Sequence, residues 1–135
     1  MAEAIGCGTR KQCQKTSPKF NFAEVDLHNL YPVWSKINSS HNNLEFGVII
    51  DEKHRFGCDF ERNDKVAEPR EIARDNVARS ILYMVDEYNF EISKEMKDLM
   101  LEWHQADPPS KDELRRNKII YAIQGTKNNY IDTKN

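Results

Sequence analysis

The sequence predicts an α+β fold, mainly α-helical with a small β element, and three observations point to it. Apolar residues recur at helical spacing through the second half of the chain. Two short apolar runs precede them, and capping residues and prolines stand between the helical stretches. With 135 residues, 39% hydrophobic and 31% charged, the chain has material for one ordinary core. Residues 1–135 therefore read as a single domain.

Taken in order, residues 1–23 show little periodicity and contain Gly6, Gly8 and Pro18, so an irregular segment is expected. A short helix is expected after Asn29, a favoured N-cap, with Pro32 in its first turn, where a missing N–H costs nothing. That helix carries Asn38 and ends in the polar run Ser39-Ser40-His41-Asn42-Asn43. Leu44 to Ile50 and Phe56 to Phe60 read as two strands of a hairpin around Asp51–Arg55. After Pro69, Ala73, Val77, Ile81, Leu82, Val85 and Tyr88 lay one apolar stripe on a helix. Ser93 caps the next, where Met96, Leu99, Met100 and Trp103 share a face, and Asp107-Pro108-Pro109 stops it. Ser110 and Glu113 form a capping box for a last helix through Leu114, Ile120, Tyr121 and Ile123, with Gly125 as its stop. The Met and aromatic residues on these stripes read as core.

Charge says little in sum, because 20 basic and 22 acidic residues leave a net charge of −2. Its distribution says more. Arg10, Lys11, Lys15 and Lys19 make one basic cluster, and Lys111, Arg115, Arg116 and Lys118 another. Each is either a solvated face or a nucleic-acid face. No apolar run approaches the roughly 20 residues that span a bilayer. The opening Met1-Ala-Glu-Ala-Ile-Gly6 lacks the basic start and apolar run of a leader. Cys7, Cys13 and Cys58 allow at most one intramolecular disulfide, and spacing alone selects neither a pair nor three reduced thiols.

Chemistry concentrates between Glu24 and Asn38, where two acids, a His and two Asn surround the entry to the short helix. The run Asp26-Leu27-His28-Asn29-Leu30-Tyr31-Pro32 followed by Asn38 resembles the core of the bacterial endonuclease I family. The resemblance continues through Arg10-Lys11, Cys13, Glu24, Glu68-Pro69, Ala78-Arg79, Tyr83-Met84, Trp103, Arg116-Asn117, Gln124-Gly125 and Asn128. It implies a ββα-metal (His-Me finger) nuclease acting on DNA, and on RNA as a second substrate, without sequence preference. It also implies a single Mg²⁺ ion with Asn38 as a ligand and Arg10 as the phosphate-binding residue. Such an ion and a guanidinium stabilise charge that grows at phosphorus in the transition state. Glu24 and His28 are the candidate catalytic groups. Glu24 would orient water, and His28 is the available imidazole, although its place inside the motif favours a structural role. His41, His54 and His104 read as surface or interface residues. The same resemblance implies a Cys13–Cys58 disulfide and a periplasmic or secreted location, with a cytoplasmic one as the alternative.

The family's Glu-His dipeptide, its general base and acidic metal ligand, is expected before Met1. The expectation is thus a domain incomplete at its N-terminus and impaired in catalysis, with an open strand edge through which it could form a homodimer. The alternative is an inactive relative serving as a nucleic-acid-binding or regulatory interaction protein. Asp75 stands where the family commonly has Gly, and Asn129 where Pro is usual.

Overall fold

Side-chain caps, rather than apolar stripes, start the fold. A computed structural model describes residues 5–50 and 57–132. Helices α1 (Arg10–Thr16) and α2 (Pro18–Val25) occupy most of the segment expected to be irregular. Thr9 and Gln12 form a capping box, each satisfying an amide of the other. The Ser17 hydroxyl accepts from the Phe20 N–H, with Pro18 in the first helical position. These bonds satisfy the donors that a helix start would otherwise orphan. Short polar helices of this kind carry no amphipathic signature to read.

The disulfide also differs from expectation: Cys7 is bonded to Cys13, and Cys58 takes no part in the bridge. Gly6 and Gly8 both adopt positive φ, which folds the chain back onto α1 and sets the two Cα atoms 5.1 Å apart. A link across 6 positions closes a small loop. On the chain-entropy model it contributes about 2 kcal/mol, against about 4 kcal/mol for the long loop of a Cys13–Cys58 bridge.

After α2 the chain makes a 3-10 turn, Leu27–Asn29, and runs extended to Trp34 before α3 (Ser35–His41) begins. The helix thus starts several residues later than Asn29. Asp26 captures the His28 N–H and closes the 3-10 turn, and Pro32 disfavours helical geometry at Tyr31. Asn38 rides on α3 as expected, and Asn42 ends that helix at φ 51°.

The β element is a three-stranded sheet in the order β1-β3-β2. β1 (Glu45–Phe46) runs parallel to β3 (Val66–Pro69), and β2 (Phe60–Arg62) pairs with β3 antiparallel. The hairpin therefore joins β2 to β3 rather than the two apolar runs. Asn63 makes it, its side-chain oxygen accepting from the Lys65 and Val66 N–H groups at 2.8 Å each. The connection expected at Asp51–Arg55 lies outside the described residues, as do His54 and Phe56. Both outer strands are short, which limits pairing along their edges.

Helices α4 (Arg74–Tyr88), α5 (Lys94–Ala106) and α6 (Lys111–Gln124) form the second half as expected. Ser93 and Ser110 cap α5 and α6 through their side chains, and Gly125 closes α6 at φ 80°. α4 and α5 pack around Ala78, Leu82, Met96, Met100 and Trp103, with Phe46 of β1 beside them. A second cluster joins Ala23 of α2 to Tyr83 and Met84.

α6 departs from its expected stripe. Ile120 is buried as expected, but Tyr121 and Ile123 are exposed, and the helix buries Glu113 and Asn117 in their place. Glu113 takes two hydrogen bonds from Arg79, at 2.7 and 3.0 Å, and Arg79 also reaches Asp75 and the Asp107 carbonyl. Arg79 is fully buried between these partners. The carboxylate at Asp75 is thus the partner of a buried cation.

Two outcomes are expected. Arg79→Ala strands two buried carboxylates and should lower stability by about 3–5 kcal/mol in urea unfolding. Cys7→Ser should lower it by about 2 kcal/mol under oxidising conditions, while Cys58→Ser leaves the reduction-sensitive part of the stability unchanged.

Candidate functional site

The motif Asp26-Leu27-His28-Asn29-Leu30 folds into the junction of α2, α4 and α6. Asp26 is buried and accepts from the His28 N–H (2.8 Å), Tyr83 (2.8 Å), Tyr88 (2.7 Å) and Gln124 (2.9 Å). Burial pushes its carboxyl up, but the bonds from Gln124, Tyr88, the His28 N–H and Tyr83 together hold it below the usual aspartate value.

His28 is wholly enclosed. Its Nε2 lies 3.1 Å from the Thr126 carbonyl, so Nε2 carries the proton. Nδ1 is buried with no hydrogen-bond partner among the described residues. The ring stands 4.6 Å from Tyr83, and the His28 carbonyl accepts from Ser80 (3.0 Å). Burial lowers the imidazole pKa most strongly and keeps the ring neutral near neutral pH. In this geometry the ring has no path to an attacking water. What it does is hold the loop after α6 against the motif.

Arg116 completes the junction from the outside. Its Nη2 donates to the Leu27 and Leu30 carbonyls, its Nη1 donates to the Tyr31 hydroxyl (3.2 Å), and its guanidinium lies 4.2 Å from the Tyr31 ring centre.

Glu24 and Arg10, 14 positions apart, are brought into direct contact by the α1–α2 turn. The Arg10 Nε donates to one Glu24 oxygen, and the Gln14 amide donates to the other at 3.0 Å. The Gln14 bond is the largest influence on Glu24 and, with Arg10, holds the carboxyl below its ordinary value. Arg10 engages through Nε and its side chain is 72% exposed, so its planar fork can still meet an anion from solvent. Gln14 was not legible as a site residue. Its position one turn after Arg10 on the same helix face was the available signal.

Asn38 is exposed on α3 and makes no side-chain hydrogen bond to Arg10, Glu24 or His28. α3 is fixed to the sheet by Arg62, which donates to the Ser40 carbonyl at 2.8 Å, and by His41 stacked on Phe46 at 4.4 Å. His41 and His104 both have ring nitrogens buried in packing, so neither is a simple surface residue. A groove of about 600 Å³ elsewhere is lined by Glu71, Ile72, Arg74, Leu99 and Trp103, and by none of the four candidate residues.

Among the described residues no three His, Cys, Asp or Glu side chains are placed to hold a metal ion. Asn38 contributes one neutral oxygen, and Glu24 is occupied by Arg10 and Gln14. On their own these residues would give a divalent cation the Asn38 oxygen as one ligand of the several it prefers. What they offer is a guanidinium for a phosphate, an ionised carboxylate beside it, and an exposed amide on a braced helix.

The model of the family described as Endonuclease I matches residues 8–135. Endonuclease-1 of Buchnera aphidicola subsp. Acyrthosiphon pisum is 35% identical over 92% of this chain and 50% of its own length. A periplasmic deoxyribonuclease of Aeromonas hydrophila is 31% identical over 93% of this chain and 54% of its own. An extracellular deoxyribonuclease of the same species is 32% identical, with 93% and 56% covered. The chain spans about half the length of these relatives.

The buried histidine predicts a pH dependence. Its folded pKa lies below the ordinary value of 6.5, so on acidification the unfolded chain takes up the proton first. Stability should therefore be intact above about pH 6.5 and fall as the pH drops below it. Thermal unfolding from pH 7.5 to pH 5 checks this, and His28→Gln should show a shallower slope. An equal slope in the variant would remove His28 as its source.

Proposed function

Because the chain belongs to the endonuclease I family, we propose that it is a nuclease domain hydrolysing DNA phosphodiesters without sequence preference, with RNA as a second substrate class. The observation that carries this reading is the family match across nearly the whole chain, with relatives named as deoxyribonucleases.

In the proposed reaction a water oxygen forms a bond to phosphorus and one P–O ester bond breaks. The water loses a proton, and the departing sugar oxygen gains one. Arg10 faces the phosphate, where its fork meets the charge that builds on the non-bridging oxygens. Glu24 orients the attacking water from beside it. Its lowered pKa makes it a dependable acceptor but a weak base. Catalysis that rests on these residues alone is therefore expected to be about 10²–10⁴-fold slower than with a positioned general base. His28 acts as a positioning residue for the junction.

Family membership points to a divalent ion. Mg²⁺ is the proposed one, with Asn38 as one of its ligands. The compartment proposed is the periplasm or the exterior, in line with the relatives' names and with the Cys7–Cys13 disulfide.

The test is cleavage of supercoiled plasmid and of a single-stranded RNA, in Mg²⁺ and in EDTA, by the chain and by its Arg10→Ala and Asn38→Ala variants. Plasmid nicking that requires Mg²⁺ and falls at least about tenfold in each variant is expected. Nicking that is absent, or equal in all three proteins, would overturn the nuclease reading.

A further inference from the structure

The extended segment before α3 holds its aromatic rings outward. Tyr31 is 38% and Trp34 51% exposed, whereas Trp103, the other tryptophan, is 6% exposed in the core. Each outward ring carries a cation. The Lys36 ammonium lies 5.2 Å from the Trp34 ring centre, and the Arg116 guanidinium 4.2 Å from that of Tyr31. Leu30 and Val33, about half exposed, widen the apolar surface between them.

The segment is anchored rather than loose. Arg116 ties the Leu27 and Leu30 carbonyls to α6, and Pro32 fixes the backbone between the two rings. The Trp34 carbonyl accepts from the Ile37 N–H (2.9 Å) and the Asn38 N–H (3.0 Å). Trp34 therefore stands one turn, about 6 Å of helix axis, from Asn38.

We infer that Trp34, with Tyr31 and Lys36, is a stacking platform for an unpaired base of a single-stranded nucleic acid whose backbone passes Asn38. This rests on the nuclease reading and adds a substrate preference to it. Rings interleaved with cations suit a strand that offers base faces and phosphates in alternation. In a duplex those base faces are covered by neighbouring pairs, so the platform favours single strands. Every base has a π-face, so the platform confers no sequence preference.

The experiment is a titration of the full chain in EDTA, which blocks metal-dependent cleavage, with a labelled single-stranded oligothymidylate at low ionic strength. An abasic oligonucleotide with the same number of phosphates is run alongside. Binding is read by anisotropy of the label and by tryptophan emission. Emission should be quenched by the oligothymidylate and not by the abasic strand. Trp34→Leu should bind the oligothymidylate about tenfold more weakly and lose the quenching, and Trp34→Phe should recover most of the affinity. Equal affinity for the two strands, or an unchanged Trp34→Leu, would overturn the platform while leaving the nuclease reading in place. No binding of either strand would likewise overturn the platform, whereas the nuclease reading stands or falls on the plasmid nicking. Because Trp34 is half exposed and contributes its backbone to α3, circular dichroism of the two variants should match the parent.

Discussion

A buried carboxylate held by four neutral donors organises this molecule. Asp26 has no ion-pair partner among the described residues, so its charge is stabilised by hydrogen bonds from a backbone amide, two tyrosines and a glutamine. Hydrogen bonds to a charged group each contribute about 1.5–3 kcal/mol, and leaving such a group unsatisfied is costly. The donors come from the 3-10 turn, from α4 and from the end of α6. These elements must therefore arrive together or the carboxylate stays wet. Everything that exposes the candidate residues follows from that junction. α2 presents Glu24 just before it, and the extended segment leaves just after it toward α3 and Asn38.

The second polar system works differently. Arg79 is a buried cation between two carboxylates and a helix-terminal carbonyl, and it sets α4 against the start of α6. The Asn117 side chain donates to the Asn128 carbonyl and accepts from the Asn128 N–H, and the Asn128 side-chain amide donates to the Arg79 carbonyl at 2.9 Å. α6 is thus seated by directional bonds more than by apolar area. That explains how Tyr121 and Ile123 can remain outside. Apolar contact is tolerant of small shifts, whereas a bidentate pair and reciprocal amides accept one register.

This division decides what could be read in advance. Ser93, Ser110 with Glu113, and Gly125 announce their helix ends because capping is local chemistry, and the stripes of α4 and α5 announce a shared core. α1 is not legible in the sequence because Thr9 and Gln12 begin a helix with no apolar face. The hairpin falls later than the apolar runs suggest because Asn63, the residue that turns it, follows the second run instead of dividing the two. The late start of α3 reflects Asp26 competing with Asn29 for the role of cap, a contest settled by tertiary partners. In the site, Arg10 and Glu24 were named by family resemblance and do meet. Their contact, the Gln14 bond and the enclosure of His28 depend on helices packing across the chain, which no local pattern encodes.

The junction also has a bearing on how the chain reaches its native state. The bonds from Gln124 and Thr126 to residues 26–28 close over sequence separations of 97 and 98. Contacts this distant reward the chain only after most of its loop entropy has been spent. α4 and α5, neighbours in sequence, can pair early and offer Tyr83 and Tyr88 to Asp26. The histidine lock cannot form until α6 has docked. The candidate site, hung from both sides of that lock, is then a late-forming feature: a collapsed intermediate would carry the core without an ordered arrangement of the candidate residues.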